Sequence, residues 1–312
     1  MRAPIWGLPP DLIVSPIEEM RAMGPPNVWH LPEATWTRIW SKFRGQGERI
    51  AILDTGYTPH NDLPTPVAQR SFIPRQEVRD GNAHGTHCAG TALGRNGIGV
   101  APDAEYLVGK CLSNQGSGSS DGIDNAVKWA IDQGATIISL SLGGGSPYEP
   151  SRKTFEYANS LGIIVFAAAG NEGQRIPNNT IGWPGRFMET FCVGSIDQQG
   201  KASSFSSAGR EMDGSTPGSQ IVSTSNTSST GYKTMSGTSM ATPFMAGLAA
   251  VVRSGMAMAG APRLGGVEDW RNWIKSTFTD VGAPGHDPIY GHGVPDYVKI
   301  LSLMLREDIR WV

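Results

Sequence analysis

The sequence predicts an α/β protein: a doubly wound, mostly parallel sheet with helices on both faces. Three observations carry this. Short apolar runs recur along the 312 residues, and most of them end in glycine or a small polar residue. Amphipathic helical patterns lie between the runs. The 40 glycines show no fixed period, so they act at turns and close approaches and not in a repeat.

The elements follow in order. Residues 1–25 carry "LPP", "SP" and "GPP" without sustained periodicity and read as an extension lying on a surface. From "NVWHLPEATW" onward, residues 26–312 read as the folded domain. "RIAILDTG" is apolar on both faces and ends at Asp54 and Gly56, the pattern of a buried strand with an acid at its carboxyl end. "AEYLVGKCL", "ATIISLSLG", "GIIVFAAAGN" and "TFCVGSI" read the same way. In "SDGIDNAVKWAIDQG", Ile123, Ala126, Val127, Ala130 and Ile131 fall on one helix face, with Gly134 as the stop. Trp270, Trp273, Ile274 and Phe278 form a second stripe, read as core packing. Ligand sites in such folds lie beyond the carboxyl ends of the strands, and Asp54, Gly143 and Asn171 all fall there.

Composition bounds the function. A net charge of −2 without a Lys/Arg-rich run argues against nucleic acid. No apolar stretch reaches the roughly 18 residues of a spanning helix, so no membrane partner is expected. Three cysteines, Cys88, Cys111 and Cys192, do not form a disulfide framework. No secretory signal follows Met1. The expected location is the cytoplasm, or outside the cell if a leader has been removed.

Three glycine-rich motifs hold chemistry: "LDTG" with Asp54, "NAHGTHCAGT" with His84 and "SGTSMATP" with Ser239. A hydroxyl needs a base to become a nucleophile, and the base needs an acid to hold its tautomer. The small residues after Ser239 are helix-compatible, which sets Ser239 at a helix N-terminus where developing negative charge is favoured. The neighbouring glycines would let a substrate backbone approach. Asn171 in "AAAGNEG" can donate to an oxyanion alongside the Ser239 N–H.

These motifs, with "SLSLGG" and the order Asp…His…Ser, resemble the subtilisin-like serine proteases from about residue 26 to "YGHGVPD". The resemblance implies a subtilisin-like fold and a serine endopeptidase of broad specificity. Ser239 would be the nucleophile, His84 the base and acid, Asp54 the orienting acid and Asn171 the oxyanion donor. It further implies a primary pocket walled by Ser141, Leu142 and Gly143 and by Ala168, Ala169 and Gly170, with Glu172 nearby. Gly116, Ser117 and Gly118 would pair with an extended substrate. Partners would be protein or peptide substrates, and the chemistry would need no cofactor.

The departures from the family are specific. Phe244 follows the proline where relatives often carry His, a packing change on the helix behind the nucleophile. The segment "ALGRNGIGVAP" is shorter than the calcium-binding loop of many relatives, which leaves calcium open although Asp62 resembles one ligand. The extension is short and proline-containing, as in intracellular relatives, and is expected to inhibit the enzyme and be cleaved. Cys88, four residues after His84, reads as a buried filler or as a thiol that confers mercurial sensitivity. His84, His87 and Cys88 lack a further ligand for zinc. "GRNGIG" lacks a phosphate-loop order. Asp80 reads as a solvated turn or part of a charged rim, and His292 as a surface residue. The competing functional reading is a catalytically silent, peptide-binding pseudo-protease.

Overall fold

In the strand Arg49–Asp54, Ile50 and Ile52 join one apolar cluster while Ala51 and Leu53 join another. A strand whose alternate side chains both find a core must be covered on both faces. The computed structural model, which describes residues 3–8, 13 and 14, and 28–305, shows this arrangement. Its strands are β1 (Ile5–Gly7), β2 (Ile13–Val14), β3 (Arg49–Asp54), β4 (Ala68–Ser71), β5 (Glu105–Lys110), β6 (Ser117–Ser119), β7 (Ile137–Leu140), β8 (Ile164–Ala168), β9 (Phe191–Ile196), β10 (Gly214–Pro217), β11 (Ile221–Thr224), β12 (Tyr232–Ser236), β13 (Phe278–Thr279) and β14 (Val294–Pro295). Its helices are α1 (Glu33–Trp40), α2 (His84–Leu93), α3 (Ser120–Asp132), α4 (Glu149–Ser160), α5 (Thr238–Met258), α6 (Val267–Thr277) and α7 (Tyr297–Leu305).

Seven strands form one sheet in the order β10-β9-β8-β7-β3-β5-β4, every pair parallel. Helices α2 and α5 cover one face with the larger cluster, and α3 and α4 cover the other. The chain leaves β3 for β5 on one side and returns to β7 on the other, so β3 lies at the switch point and its carboxyl end opens a crevice.

Local chemistry accounts for the helix limits. The Ser119 hydroxyl caps α3 by accepting from the Gly122 N–H at 3.1 Å. Gly134, at φ +75°, ends it in the predicted place, with the Ala135 N–H reaching back to the Ala130 carbonyl. The tryptophan stripe is core, but Phe278 lies one residue past α6 and opens β13. Phe244 is buried on α5 and packs against His30, Trp36 and Tyr297.

The N-terminal residues depart from the expected surface extension. β1 pairs antiparallel with β6, and Gly7 exchanges both backbone hydrogen bonds with Gly143 at 2.9 Å. β2 pairs with β12. Trp6 is fully buried, in the same cluster as Leu112, Ile123 and Leu142. Residues 1, 2, 9–12 and 15–25 of the expected extension lie outside the described residues.

Candidate active site

Asp54 stands at the end of β3 and His84 at the first turn of α2. His84 Nδ1 lies 2.7 Å from Asp54 Oδ1, and both groups are buried. The same oxygen accepts the Thr55 N–H at 2.7 Å. Burial pushes the His84 pKa down, but the Asp54 carboxylate outweighs it and the pKa lies well above its ordinary 6.5. An imidazole fixed through Nδ1 presents Nε2 as its free basic nitrogen.

Ser239 occupies the first turn of α5, after Gly237 in an extended conformation. Its hydroxyl donates to the Ser141 carbonyl at 3.2 Å, and the Ser141 hydroxyl donates to the Ser239 carbonyl at 2.8 Å. Pro243 explains why that carbonyl is available. It stands four residues after Ser239 inside the helix and has no N–H to donate. The Ser141 hydroxyl and the Cys88 thiol, at 3.4 Å, take the vacated acceptor. The same thiol lies 3.7 Å from His84 Nδ1, so it packs between the two motifs. Burial, above all, raises its pKa, which leaves it a neutral filler.

Asn171 follows β8 and Gly170. Its Oδ1 accepts both the backbone N–H and the hydroxyl of Thr238 at 3.0 Å. This fixes the amide and leaves Nδ2 buried without a partner among the described residues. A buried, unpaired donor of this kind carries a desolvation cost that an incoming acceptor relieves.

The pocket beside these groups has a volume of about 360 Å³. Leu142, Gly143, Ala168, Ala169, Gly170 and Glu172 line it as expected, joined by Gly182 and Arg186. Ser141 instead sits against Ser239. Glu172 Oε2 accepts from the Ser207 hydroxyl at 2.7 Å. Gly116, Ser117 and Gly118 form the edge that β1 occupies, with the Leu8 N–H on the Gly116 carbonyl at 2.8 Å. The Trp6 indole N–H donates to the Ser146 carbonyl at 3.0 Å. A Cβ on Gly144 would stand 2.4 Å from the Trp6 ring, so this groove depends on a glycine.

Other expectations are corrected. The glycines beside Asp54 and His84 serve close approach within the chain, not to substrate: a Cβ on Gly85 would meet the Gly56 carbonyl at 2.4 Å, and one on Gly56 the Val78 carbonyl at 2.1 Å. Asp80 is buried, not solvated. His292 is half-buried against His286. His87 turns away from the site and directs Nε2 at the Ile221 and Lys233 carbonyls, while burial lowers its pKa to about 3. Asp54, His84 and Cys88 bring three ligand atoms within 4.8 Å, but two of them are hydrogen-bonded to each other. Asp62 accepts from Asn96 Nδ2 at 2.6 Å and from the Tyr232 hydroxyl, so chain donors already hold both its oxygens. Thr238, Pro243 and Arg186 were not singled out by the sequence; the proline's spacing from Ser239 was a legible signal, the threonine's contact with Asn171 was not.

A model of the subtilase family matches residues 45–293, more than half of the chain. The chain belongs to the subtilase family. Subtilisin DY of Bacillus licheniformis is 36% identical over 260 residues, covering 81% of this chain and 90% of that protein. Subtilisin Savinase of Lederbergia lenta is 38% identical over 255 residues, with 80% and 89% covered. Thermitase of Thermoactinomyces vulgaris is 40% identical over 247 residues, with 77% and 84% covered. This subtilase is therefore a serine endopeptidase whose chemistry needs no cofactor, and no residue of the Asp-His-Ser set that a silent homologue would lack is missing.

Proposed function

We propose that Ser239 attacks the peptide carbonyl as His84 Nε2 takes its proton, while Asp54 holds the imidazole through Nδ1. For this the Ser239 hydroxyl turns from the Ser141 carbonyl toward His84. Asn171 Nδ2 and the Ser239 N–H receive the oxyanion. His84 passes the proton to the leaving amine, and water, activated by the same imidazole, releases the acyl-enzyme. The buried 2.7 Å Asp54–His84 pair is the observation that carries the reading. Intact mass after a fluorophosphonate probe tests it: one adduct on the parent chain and none on Ser239→Ala is expected.

Substrate would enter as a strand, in the place of β1, between Ser117–Ser119 and Gly143. A substrate in the β1 register sets the residue two past the Gly143 partner beside Ser141, next to Ser239. Its side chain meets a pocket with small walls, which favours large apolar residues. Glu172 favours a basic residue there, and Arg186 on the same lining opposes it.

The N-terminal segment is in this reading an inhibitor removed by proteolysis, because β1 fills the edge that substrate needs. A chain beginning near Pro26 is expected to hydrolyse peptides faster than the full chain; equal rates would end this part of the reading. The reading does not require calcium at Asp62, whose carboxylate Asn96 and Tyr232 hydrogen-bond. Chelator is expected to leave the thermal midpoint of an Asp62→Asn variant and of the parent shifted equally.

A further inference from the structure

We propose that Asp80 is a positioning residue for His84 and Asp54. The inference rests on the catalytic roles given to those two residues above. Asp80 is 2% exposed, and its carboxylate collects five hydrogen bonds from both elements that carry the pair. On the β3 side, Oδ1 accepts the Thr55 hydroxyl at 2.9 Å, and Thr55 in turn gives its N–H to Asp54. On the α2 side, Oδ1 accepts the N–H groups of Asn82 at 2.9 Å and Ala83 at 3.0 Å. Oδ2 accepts the N–H of Thr86 at 2.9 Å and its hydroxyl at 2.7 Å.

His84 is thereby held through its neighbours on either side. The Ala83 N–H goes to Asp80, and the Gly85 N–H goes to the Thr55 hydroxyl at 2.9 Å, itself a donor to Asp80. The turn needs such restraint. Ala83 stands at φ +89°, a left-handed conformation costly for a residue with a Cβ, and its own side chain cannot cap the helix. Asp80 serves as the remote cap. Its backbone is fixed as well, with its carbonyl accepting from Asn226 Nδ2 at 3.0 Å and its N–H on the Tyr57 carbonyl at 3.1 Å. One carboxylate therefore sets the distance between the end of β3 and the start of α2, which is the distance the Asp54–His84 hydrogen bond spans.

The test uses the full chain. Steady-state kinetics on a short peptide substrate are read together with the far-downfield proton resonance of the His84 Nδ1–H. Asp80→Ala is expected to lower kcat about 100-fold with little change in KM, the scale of a small misplacement of reacting groups, and to shift or broaden the resonance. Asp80→Asn keeps one carbonyl oxygen for Thr55, Asn82 and Ala83 and is expected to recover about 10-fold of that loss. Thr55→Ala cuts the link through the Thr55 hydroxyl to Asp80 and to the Gly85 N–H, leaves the Asn82, Ala83 and Thr86 bonds to Asp80 in place, and is expected to shift the resonance, which keeps the inference testable if Asp80→Ala does not fold. Parent kcat and an unmoved resonance in folded Asp80→Ala, or in Thr55→Ala where that variant alone folds, would overturn the positioning role while leaving the catalytic assignment standing. Parent activity in His84→Ala would instead overturn the assignment and this inference with it.

Discussion

The proposed catalytic rim and the groove beside it are built in opposite ways. At the rim, Asp54, His84, Asn171 and Ser239 come from β3, α2, the loop after β8 and α5; Thr55, Thr238 and Ser141 hydrogen-bond Asp54, Asn171 and Ser239, and Asp80 holds His84 through the Ala83 N–H. Those partners are permanent parts of the fold. In the groove, the polar groups are mostly backbone, on Ser117–Ser119 and Gly143, and their partners arrive from residues 4–8 of the same chain. The rim is thus complete in itself. The groove offers an edge that any extended peptide can satisfy, and the chain's own N-terminus satisfies it first. Chemistry is invested in buried, hydrogen-bonded side chains, and recognition in backbone that accepts many sequences.

Breaking the rim should have the largest effect. Ser239→Ala or His84→Ala is expected to lower kcat about 10⁶-fold, read as peptide hydrolysis after removal of any contaminating protease. A loss below tenfold would mean that another group supplies the nucleophile or base. Asn171→Ala removes one oxyanion donor and should cost about 10²–10³-fold in kcat with KM nearly unchanged.

The groove should respond with the opposite sign. Trp6→Ala deletes a fully buried indole, a change worth about 3 kcal/mol or more, so activity of the full chain toward a short peptide should rise up to about 100-fold. No rise would mean that Trp6 does not hold the segment in place. The pH profile separates the regions further. His84 must be neutral to act as a base, and its pKa is raised, so kcat/KM should climb with pH through a value above 6.5. The matching stability contribution of the His84–Asp54 pair has the reverse dependence, present below pH 6.5 and lost as pH rises through the raised value. A flat activity profile between pH 6 and 9 would contradict this assignment of the base. Smallest of all, Cys88→Ala should leave kcat within about threefold, since a neutral buried thiol acts by packing.

Much of this architecture is legible in the sequence because it is local. The run Ile50–Leu53 is apolar at every position, which only a strand covered on both faces can use. Gly134 marks the end of α3 because a left-handed residue without Cβ is needed there. Motif spacing brought Asp54, His84, Asn171 and Ser239 to light, and all four do come to one rim. Asp80 was misread because an acid before "GN" looks like any solvated turn; nothing local says that five donors from two elements will close on it. The burial of Trp6, within what reads as a surface extension, was not legible for a related reason. A proline-rich segment without periodicity carries no sign of an edge strand that is waiting elsewhere in the chain.

By itself, the sequence determined the alternation of buried strands and amphipathic helices, the helix stops and the chemical identity of the reacting groups, since periodicity and residue type express these within a few neighbours. The tertiary structure alone decided which polar groups meet: Asn171 with Thr238, the Ser239 carbonyl that Pro243 leaves free with Ser141, Asp80 with the neighbours of both Asp54 and His84, and β1 with the groove. These pairings join residues far apart in the chain, and they are enforced because a buried donor or acceptor left unpaired costs more than the conformational freedom spent in pairing it.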